Sequence, residues 1–528
     1  MDWSGWGDPA RRRPLPESLQ RLLEQALGMR APSGTPVARE EVRLPSVALT
    51  AKVEGALAAV VGEAEVHTDV ASRLAHAGGK STPDLLRRRL VEQSAPDAVV
   101  RPGSHDEVVD LLRVCAEGSI AVVPFGGGTS VVGGVQPARD GHAAVVALDV
   151  GRLDRLVEAD KTSMTARLEP GLRGPEAERL LGGRGLTLGH FPQSFEYATI
   201  GGFAATRSSG QASSGYGRFD EMVVGLRLAT PRGTLELGRA PASAAGPDLR
   251  QLVLGSEGAF GVITEVTVRV HAVPEECVDE AWRFADFGSG VEAFRRLAQA
   301  GRLPTIVRLS DEAETFANLA MADDVGGGGA PEGGCLAILG FEGDAERVAA
   351  SRGELAGLLE EYGGSPLGTE LGARWREGRY SAPYLRDAVL DAGGLVETLE
   401  TATSWSRLQT TYAAVRDALT RALADQGTPP LVLCHVSHVY PTGASLYFTV
   451  AAAQGADPIS QWVQAKTAAS DAIAECGATI SHHHAVGLDH RDWMEAEIGE
   501  LGIEVLRAVK NTLDPDGILN PGKLVPPA

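Results

Sequence analysis

The spacing of apolar and polar positions changes period several times along the chain, and each change marks an element. Leu19, Leu22, Leu23 and Leu27 recur at helical spacing in a region that otherwise mixes Pro, Arg and short apolar patches. It reads as a mostly helical extension over 1–90. From Asp97 the pattern tightens into Val99-Val100, a helix from about Asp106 to Ala116 stopped near Gly118, a strand Ile120-Ala121-Val122-Val123 running into glycines, and a strand from Val145 to Leu148. Met222 to Ala229 and Thr234 to Leu237, joined by Pro231-Arg232-Gly233, predict a hairpin. Val262, Thr264, Val266, Val268 and Val270 alternate with Glu265, Thr267 and Arg269, the period of a half-exposed strand. Together these predict an α+β domain over 91–275.

A second unit follows Pro274, read as an α/β domain over 276–490. It opens with a helix around Gly290 to Ala300, strands Thr305 to Leu309 and Leu336 to Phe341, and a helix Asp344 to Glu361. That order predicts a sheet backed by helices on one face. The run Gly326-Gly327-Gly328-Gly329 reads as a flexible linker or a lid. Leu431 to Val439 and Ala444 to Ala451 predict another hairpin, with Cys434, His435 and His438 on one strand as packing residues. A final helix, Asp492 to Thr512, leads into a tail, so 491–528 is expected to return to the first domain.

The length of 528 residues fits two domains with extensions, and 43% hydrophobic residues suffice for real cores. A formal charge of −20, from 49 basic and 69 acidic residues, argues against general affinity for nucleic acid or anionic membrane. Cys115, Cys277, Cys335, Cys434 and Cys476 are scattered and odd in number, which suits buried residues in a reducing compartment. The chain has no apolar run of membrane-spanning length and no signal pattern, so a cytoplasmic protein is expected. No strongly amphipathic basic helix compels membrane contact. A homodimer is expected.

The chemistry begins with Pro124-Phe125-Gly126-Gly127-Gly128-Thr129-Ser130, where a strand ends in backbone N–H groups free of side chains, able to cradle a pyrophosphate. The bland alternative is a tight turn. The loop matches neither GxGxxG nor GxxxxGK[ST]. Three further Gly/Ser/Thr-rich loops accompany it: Gln193-Ser194-Phe195-Glu196-Tyr197-Ala198-Thr199, then Thr206-Arg207-Ser208-Ser209, then Glu257-Gly258-Ala259-Phe260-Gly261-Val262-Ile263. This set, with the Asn520-Pro521-Gly522-Lys523 tail, resembles the vanillyl-alcohol-oxidase type of FAD-binding fold. The resemblance implies that the first loop binds the FAD pyrophosphate, the second and third run along the isoalloxazine and ribityl, and the fourth lies by the adenine. No His or Cys lies between Pro124 and Pro137, and His190 precedes the second loop, so a non-covalent flavin is expected.

Ser481-His482-His483-His484-Ala485-Val486-Gly487 carries the second cluster. On an extended segment His482 and His484 share a face and His483 opposes them, and no Asp, Glu or Cys partner is evident. A metal on His482 and His484 is conceivable, but acid–base work fits neutral imidazoles better and no metal is expected. Tyr440 is either a surface strand aromatic or a catalytic hydroxyl placed before a turn. Arg308 and Arg386 are either solvated or anion-binding, with Asp387 a competing partner for Arg386.

These residues, with Trp3-Ser4-Gly5-Trp6-Gly7, Tyr384-Leu385-Arg386-Asp387 and Glu397-Thr398-Leu399-Glu400-Thr401, resemble the alkyl-dihydroxyacetone-phosphate synthase family of ether-lipid synthesis. Ala485 and Leu488 stand where that family has Gly and Lys. The resemblance implies catalytic roles for Tyr440, His482, His483, His484 and Arg308, and substrate binding by Arg386 and Arg308. It implies exchange of the acyl chain of acyl-dihydroxyacetone phosphate for a long-chain alcohol through a flavin N5 adduct without net redox, and a lipid-like substrate that leaves peripheral membrane contact open. An FAD-dependent D-2-hydroxy-acid dehydrogenase is the alternative, although such enzymes typically carry Glu-His-Gly where this chain has His483-His484-Ala485.

Overall fold

The computed structural model describes residues 1–30, 32, 34–323 and 333–527, so Gly326–Gly329 lies outside the described residues, as does the side chain of Leu22. Helices and antiparallel and parallel sheets segregate as an α+β protein, with two main sheets and a two-stranded ribbon, Leu186–Thr187 with His271–Ala272, in the first domain and one large sheet in the second.

The first sheet takes the order Val66–His67, Ala98–Val100, Ala144–Asp149, Ile120–Phe125, the last three strands being parallel. Helix His105–Gly118 covers it. Its N-cap Ser104 accepts from Glu107 N–H, its Val108, Val109, Leu111, Leu112 and Cys115 recur on one buried face, and Ser119 ends it in the left-handed region. The parallel arrangement aims Ile120–Phe125 straight into the glycine loop. The chain's end completes the edge: Val122 exchanges backbone hydrogen bonds with Ile518 and Asn520, each 2.8 Å. The second sheet is antiparallel, ordered Leu156–Asp160, Thr165–Leu168, Val262–Arg269, Val223–Thr230, Gly233–Leu237.

The large sheet has eight strands, all antiparallel: Ser365–Gly368, Glu276–Phe284, Cys335–Gly343, Ile306–Ser310, Leu431–Val436, Gly443–Ala453 and Gly394–Ser404 in order, with Val439–Tyr440 pairing Gly443–Ala453. Leu309, Leu399, Leu446, Phe448 and Val450 point to helices Phe287–Gln299, Leu408–Ala424 and Pro458–Glu475 and form the main core. A fully buried Leu or Phe there contributes roughly 1.5–3 kcal/mol. The opposite face is polar, and register aligns it: Ser310 pairs with His435, His435 with Tyr447, and Tyr447 with Glu400. Period 2 thus puts Arg308, His435, Tyr447 and Glu400 on one wall.

Before this body, helices Glu17–Leu27, Ala51–Val61, Val70–Ala75 and Thr82–Arg87 alternate with long irregular stretches. The first residues strap the two halves together: Asp8 N–H donates to Tyr384 Oη at 3.0 Å, and Trp6 packs edge-on against Tyr197. The final helix, Met494–Leu513, breaks at Gly499, whose φ is 74°. Cys277 is exposed and Cys476 half-buried, against the expectation that all five cysteines are buried; Cys277 lies at the N-terminal end of strand Glu276–Phe284, where residues 276–278 are not yet buried.

Candidate active site

Glu400 organises the site. Its carboxylate accepts hydrogen bonds from the backbone N–H groups of His482 (2.7 Å), His483 (2.9 Å) and His484 (2.7 Å) and from the Ser481 hydroxyl (2.9 Å), and its side chain is 0% exposed. Burial alone would raise its pKa; the surrounding histidines and N–H donors overrule that and hold it well below the usual carboxylate range. The histidine segment is therefore bent around a carboxylate, neither extended nor without an acidic partner as the sequence implied. Three successive N–H groups turned to one anion replace the alternation of a strand.

The imidazoles form a cluster in which His482, His483 and His484 meet edge to face. His482 Nε2 lies 2.6 Å from Tyr440 Oη, and its Nδ1 lies 3.0 Å from His483 Nδ1, which in turn is 3.5 Å from Glu400 Oε2. His438, just past its strand, stacks on His482 with ring centroids 4.9 Å apart and meets Ser213 Oγ at 2.8 Å and Ser209 Oγ at 3.2 Å. Tyr447 stacks between His435 (4.8 Å) and His483 (6.0 Å). His435 and His438 thus belong to the site and are not mere packing. Burial pushes His438 and His482 well below the ordinary imidazole value, His483 and His435 below it, and His484 down to about 3. All are neutral bases at pH 7. Desolvation raises Tyr440 and Tyr447, the latter to about 12, so both phenols stay protonated. His438, His482 and His483, and separately Glu400, His483 and His484, have ligand atoms within 4.8 Å of one another, a spacing that would admit a metal. Glu400 is already saturated by its four donors.

Arg308 lies against His435, Nη1 to Nε2 at 2.9 Å, and donates to Glu314 Oε1 at 3.0 Å. Burial opposes ionisation of Glu314, but His435 and Arg308 hold it down to about 2. Arg386 is in a different setting. Its Nε and Nη2 donate to Asp387 Oδ1 (3.2 and 2.9 Å) and its Nη1 to the Lys80 carbonyl (2.7 Å), so the salt bridge to Asp387 is formed while Nη1 and Nη2 each keep a second N–H. A closed apolar pocket lined by Leu395, Leu399, Leu419, Leu423 and Trp462 lies on the helix side of the sheet; its volume of about 10 Å³ is too small for an alkyl chain.

The glycine loops fit an FAD. A Cβ on Gly127 would stand 2.0 Å from the Tyr197 carbonyl oxygen and one on Gly126 2.4 Å from Thr199 Oγ1, so the loop Gly126 to Ser130 lies tight against Gln193 to Thr199, whose Phe195, Tyr197 and Ala198 N–H groups donate within their own loop to the Pro192 and Ser194 carbonyls. Buried His190 Nδ1, Ser256 Oγ and Asn520 Oδ1 have no partner, as expected of atoms that meet a bound group. Thr199 caps helix Ile200–Thr206, Arg207 ends it at φ 50° and donates to the Leu254 carbonyl, Ser208 holds His190, and Ser209 reaches His438. Of the fourth loop, Ala259, Phe260, Val262 and Ile263 bury their side chains in cores, leaving only backbone for a cofactor. Glu257 instead accepts from Val486 and Gly487 N–H and joins the flavin loops to the histidine segment; burial raises it to about 7.

An FAD cradle facing a polar sheet wall of histidines, tyrosines and one arginine defines an FAD-dependent enzyme built from a cofactor domain and a cap. Residues 96–238 match the model of the FAD binding domain, and 273–524 that of the C-terminal domain of FAD linked oxidases. The alkyldihydroxyacetonephosphate synthase of Dictyostelium discoideum is 35% identical over 88% of this chain and 79% of its own, and that of Trypanosoma brucei brucei 32% over 100% and 92%. A solved alkyldihydroxyacetonephosphate synthase superposes with TM-score 0.84 at 31% identity, covering 99% of both chains. The chain belongs to the alkyldihydroxyacetonephosphate synthase family.

Proposed function

We propose that the protein replaces the acyl group of acyl-dihydroxyacetone phosphate by a long-chain fatty alcohol, releasing the fatty acid without net redox change. The observation that carries this reading is the buried relay Tyr440–His482–His483–Glu400, which can pass a proton between its members. FAD, held non-covalently, supplies an electrophilic centre for the dihydroxyacetone-phosphate unit. Tyr440, kept protonated by burial, donates to the departing carboxylate, and His482 Nε2 stands behind it to return the proton. The neutral histidines take the proton lost by the incoming alcohol, and Glu400 holds the imidazolium that forms. Arg308 lends positive charge to the same wall. Tyr447 is the second candidate for the donor, favoured by its place between His435 and His483.

On this reading 91–275 is the cofactor domain, 276–490 the substrate domain, 1–90 the extension that straps them, and 491–528 the tail that closes the cofactor domain. The protein works as a cytoplasmic homodimer with peripheral access to lipid; among the described residues no helix is long and apolar enough to cross a membrane. The test is exchange: labelled hexadecanol and palmitoyl-dihydroxyacetone phosphate, with no electron acceptor, should yield alkyl product and free palmitate in equal amounts. Oxidation of a D-2-hydroxy acid, with no exchange, would overturn the reading in favour of the less supported alternative.

A further inference from the structure

A phenol that donates a proton leaves a phenolate, and a buried phenolate needs a charge of opposite sign beside it. On the cap wall, Arg308 is paired with Glu314 and lies against His435. The cation beside Tyr440 comes from the other domain. Arg218 follows Gly217, whose φ of 92° turns the chain out of helix Ser213–Tyr216. The Arg218 N–H donates to Glu221 Oε2 at 2.9 Å and the Phe219 N–H to the Ser208 carbonyl at 3.0 Å. The Arg218 side chain is held as well, Nε donating to Asp220 Oδ1 at 3.0 Å and Nη2 to the Arg207 carbonyl at 3.4 Å. Its guanidinium faces the Tyr440 hydroxyl, near enough to act on it by charge and by hydrogen bonding.

The segment that carries Arg218 is docked on the catalytic wall. Ser209 and Ser213 Oγ meet His438 Nδ1, and Gly215 N–H donates to the Thr305 carbonyl at 3.3 Å. His438 stacks on His482, whose Nε2 lies 2.6 Å from the Tyr440 hydroxyl. That hydroxyl therefore meets a base from the cap and a cation from the cofactor domain. Burial is the largest influence on Tyr440 and raises it; Arg218 is the strongest charge acting against burial, while Glu221 and Asp220 reinforce it. Burial also dominates at His438, His482 and His483 and lowers all three. Arg218 adds to that lowering at each of them, neighbouring histidines add to it at His438 and His482, and Glu400 opposes it throughout. At Arg218 itself burial disfavours the charge, and Asp220 and Tyr440 outweigh it.

We propose that Arg218 is the counter-ion of Tyr440: it pairs the phenolate left when the proton is given up, and it keeps the adjoining histidines neutral. The inference rests on the functional reading above. In the step, the Tyr440 O–H bond breaks and a new O–H bond forms on the departing carboxylate. The electron pair left on the phenol oxygen faces the guanidinium, and His482 then returns a proton taken from the incoming alcohol. Arg218 acts through Tyr440, as a fixed positive charge aimed at the place where negative charge develops.

The test uses the FAD-loaded full chain, with exchange between palmitoyl-dihydroxyacetone phosphate and hexadecanol followed from about pH 5 to 9. Arg218→Gln should lower kcat about 100-fold with KM little changed. It should also move the acid limb of the pH profile up by roughly one pH unit, because the histidines protonate more easily once the cation is gone. Arg218→Lys, which keeps the charge, should recover much of kcat and leave the limb at its wild-type place; an unchanged flavin-to-protein ratio in both variants shows an intact cradle. Melting temperatures need no substrate. Histidines held neutral by the fold cost stability as pH falls from about 7 to 5.5, and easier protonation in Arg218→Gln should make that fall shallower. Full activity in Arg218→Gln, or equal losses in the Gln and Lys variants with the acid limb unmoved, overturns the proposal. Wild-type protein that exchanges nothing overturns the functional reading; the melting profiles then decide, a shallower fall in Arg218→Gln upholding the placement of this charge on the histidines and parallel profiles overturning it.

Discussion

Replacing Glu400 by Gln removes one charge and one acceptor while preserving shape, and it strikes the point on which the histidine segment turns. Glu400 Oε1 accepts from Ser481 Oγ, His483 N–H and His484 N–H, and Oε2 from His482 N–H. The better amide orientation keeps the carbonyl oxygen in the Oε1 place and sets the NH₂ against His482 N–H. Three charge-assisted bonds then become neutral ones, each weaker by about 1 kcal/mol, and one buried N–H is left without an acceptor at about 1–3 kcal/mol. Their sum, about 4–6 kcal/mol, is an upper bound because the bonds share one segment; about 3–5 kcal/mol is expected, comparable to breaking a buried pair. Urea unfolding at pH 7 reads the cap stability directly, and the flavin-to-protein ratio reports whether Gly487 still seats on Glu257. The variant should also lose exchange activity, since His482 and His483 lose their fixed relation to Tyr440. A stability loss below about 1 kcal/mol with full activity would refute the claim that this carboxylate builds the site.

Gly127→Ala places a methyl 2.0 Å from the Tyr197 carbonyl and must part the two flavin loops; the purified protein should lose FAD affinity by about tenfold or more, read by ultrafiltration, with the cap unaffected. Tyr440→Phe and Tyr447→Phe separate the two proton donors: the variant that loses turnover while retaining flavin and the fold identifies the donor, and Tyr440→Phe is expected to be the inactive one. Stability should fall as pH drops below about 6.5, because His190, His438, His482, His484 and His490 have folded-state pKa values depressed by burial; the unfolded chain binds their protons first, at about 1 kcal/mol per histidine between pH 6.5 and 5.5. Glu257 and Asp489, both raised by burial to about 7, act in the opposite sense over the same range and offset part of the loss. Glu400, depressed in the fold, adds its own loss only as pH falls below about 4.3. Melting temperatures across pH 4 to 8, with a flat profile contradicting the account, give the check.

Local signals carried the glycine loops, the strand Val262–Arg269 and the helix His105–Gly118, because turn chemistry and residue period are short-range properties. The triple histidine was equally visible. What stayed hidden was its partner: Glu400 lies 82 residues before His482 and reaches it only through the register of Gly394–Ser404 beside Gly443–Ala453. The same register turns His435 and Tyr447 to the wall, and nothing in a strand's own sequence says which neighbour it will pair. Ala485, at φ 72°, is legible in hindsight, since a residue in the left-handed region after a bend around a carboxylate is where glycine would be at ease.

The most direct measurement is an anaerobic visible spectrum of the FAD-loaded protein as palmitoyl-dihydroxyacetone phosphate and then hexadecanol are added without electron acceptor. The account predicts that the oxidised flavin band is lost with the first compound and returns with the second. No change with either, and lasting bleaching by a D-2-hydroxy acid, would contradict it.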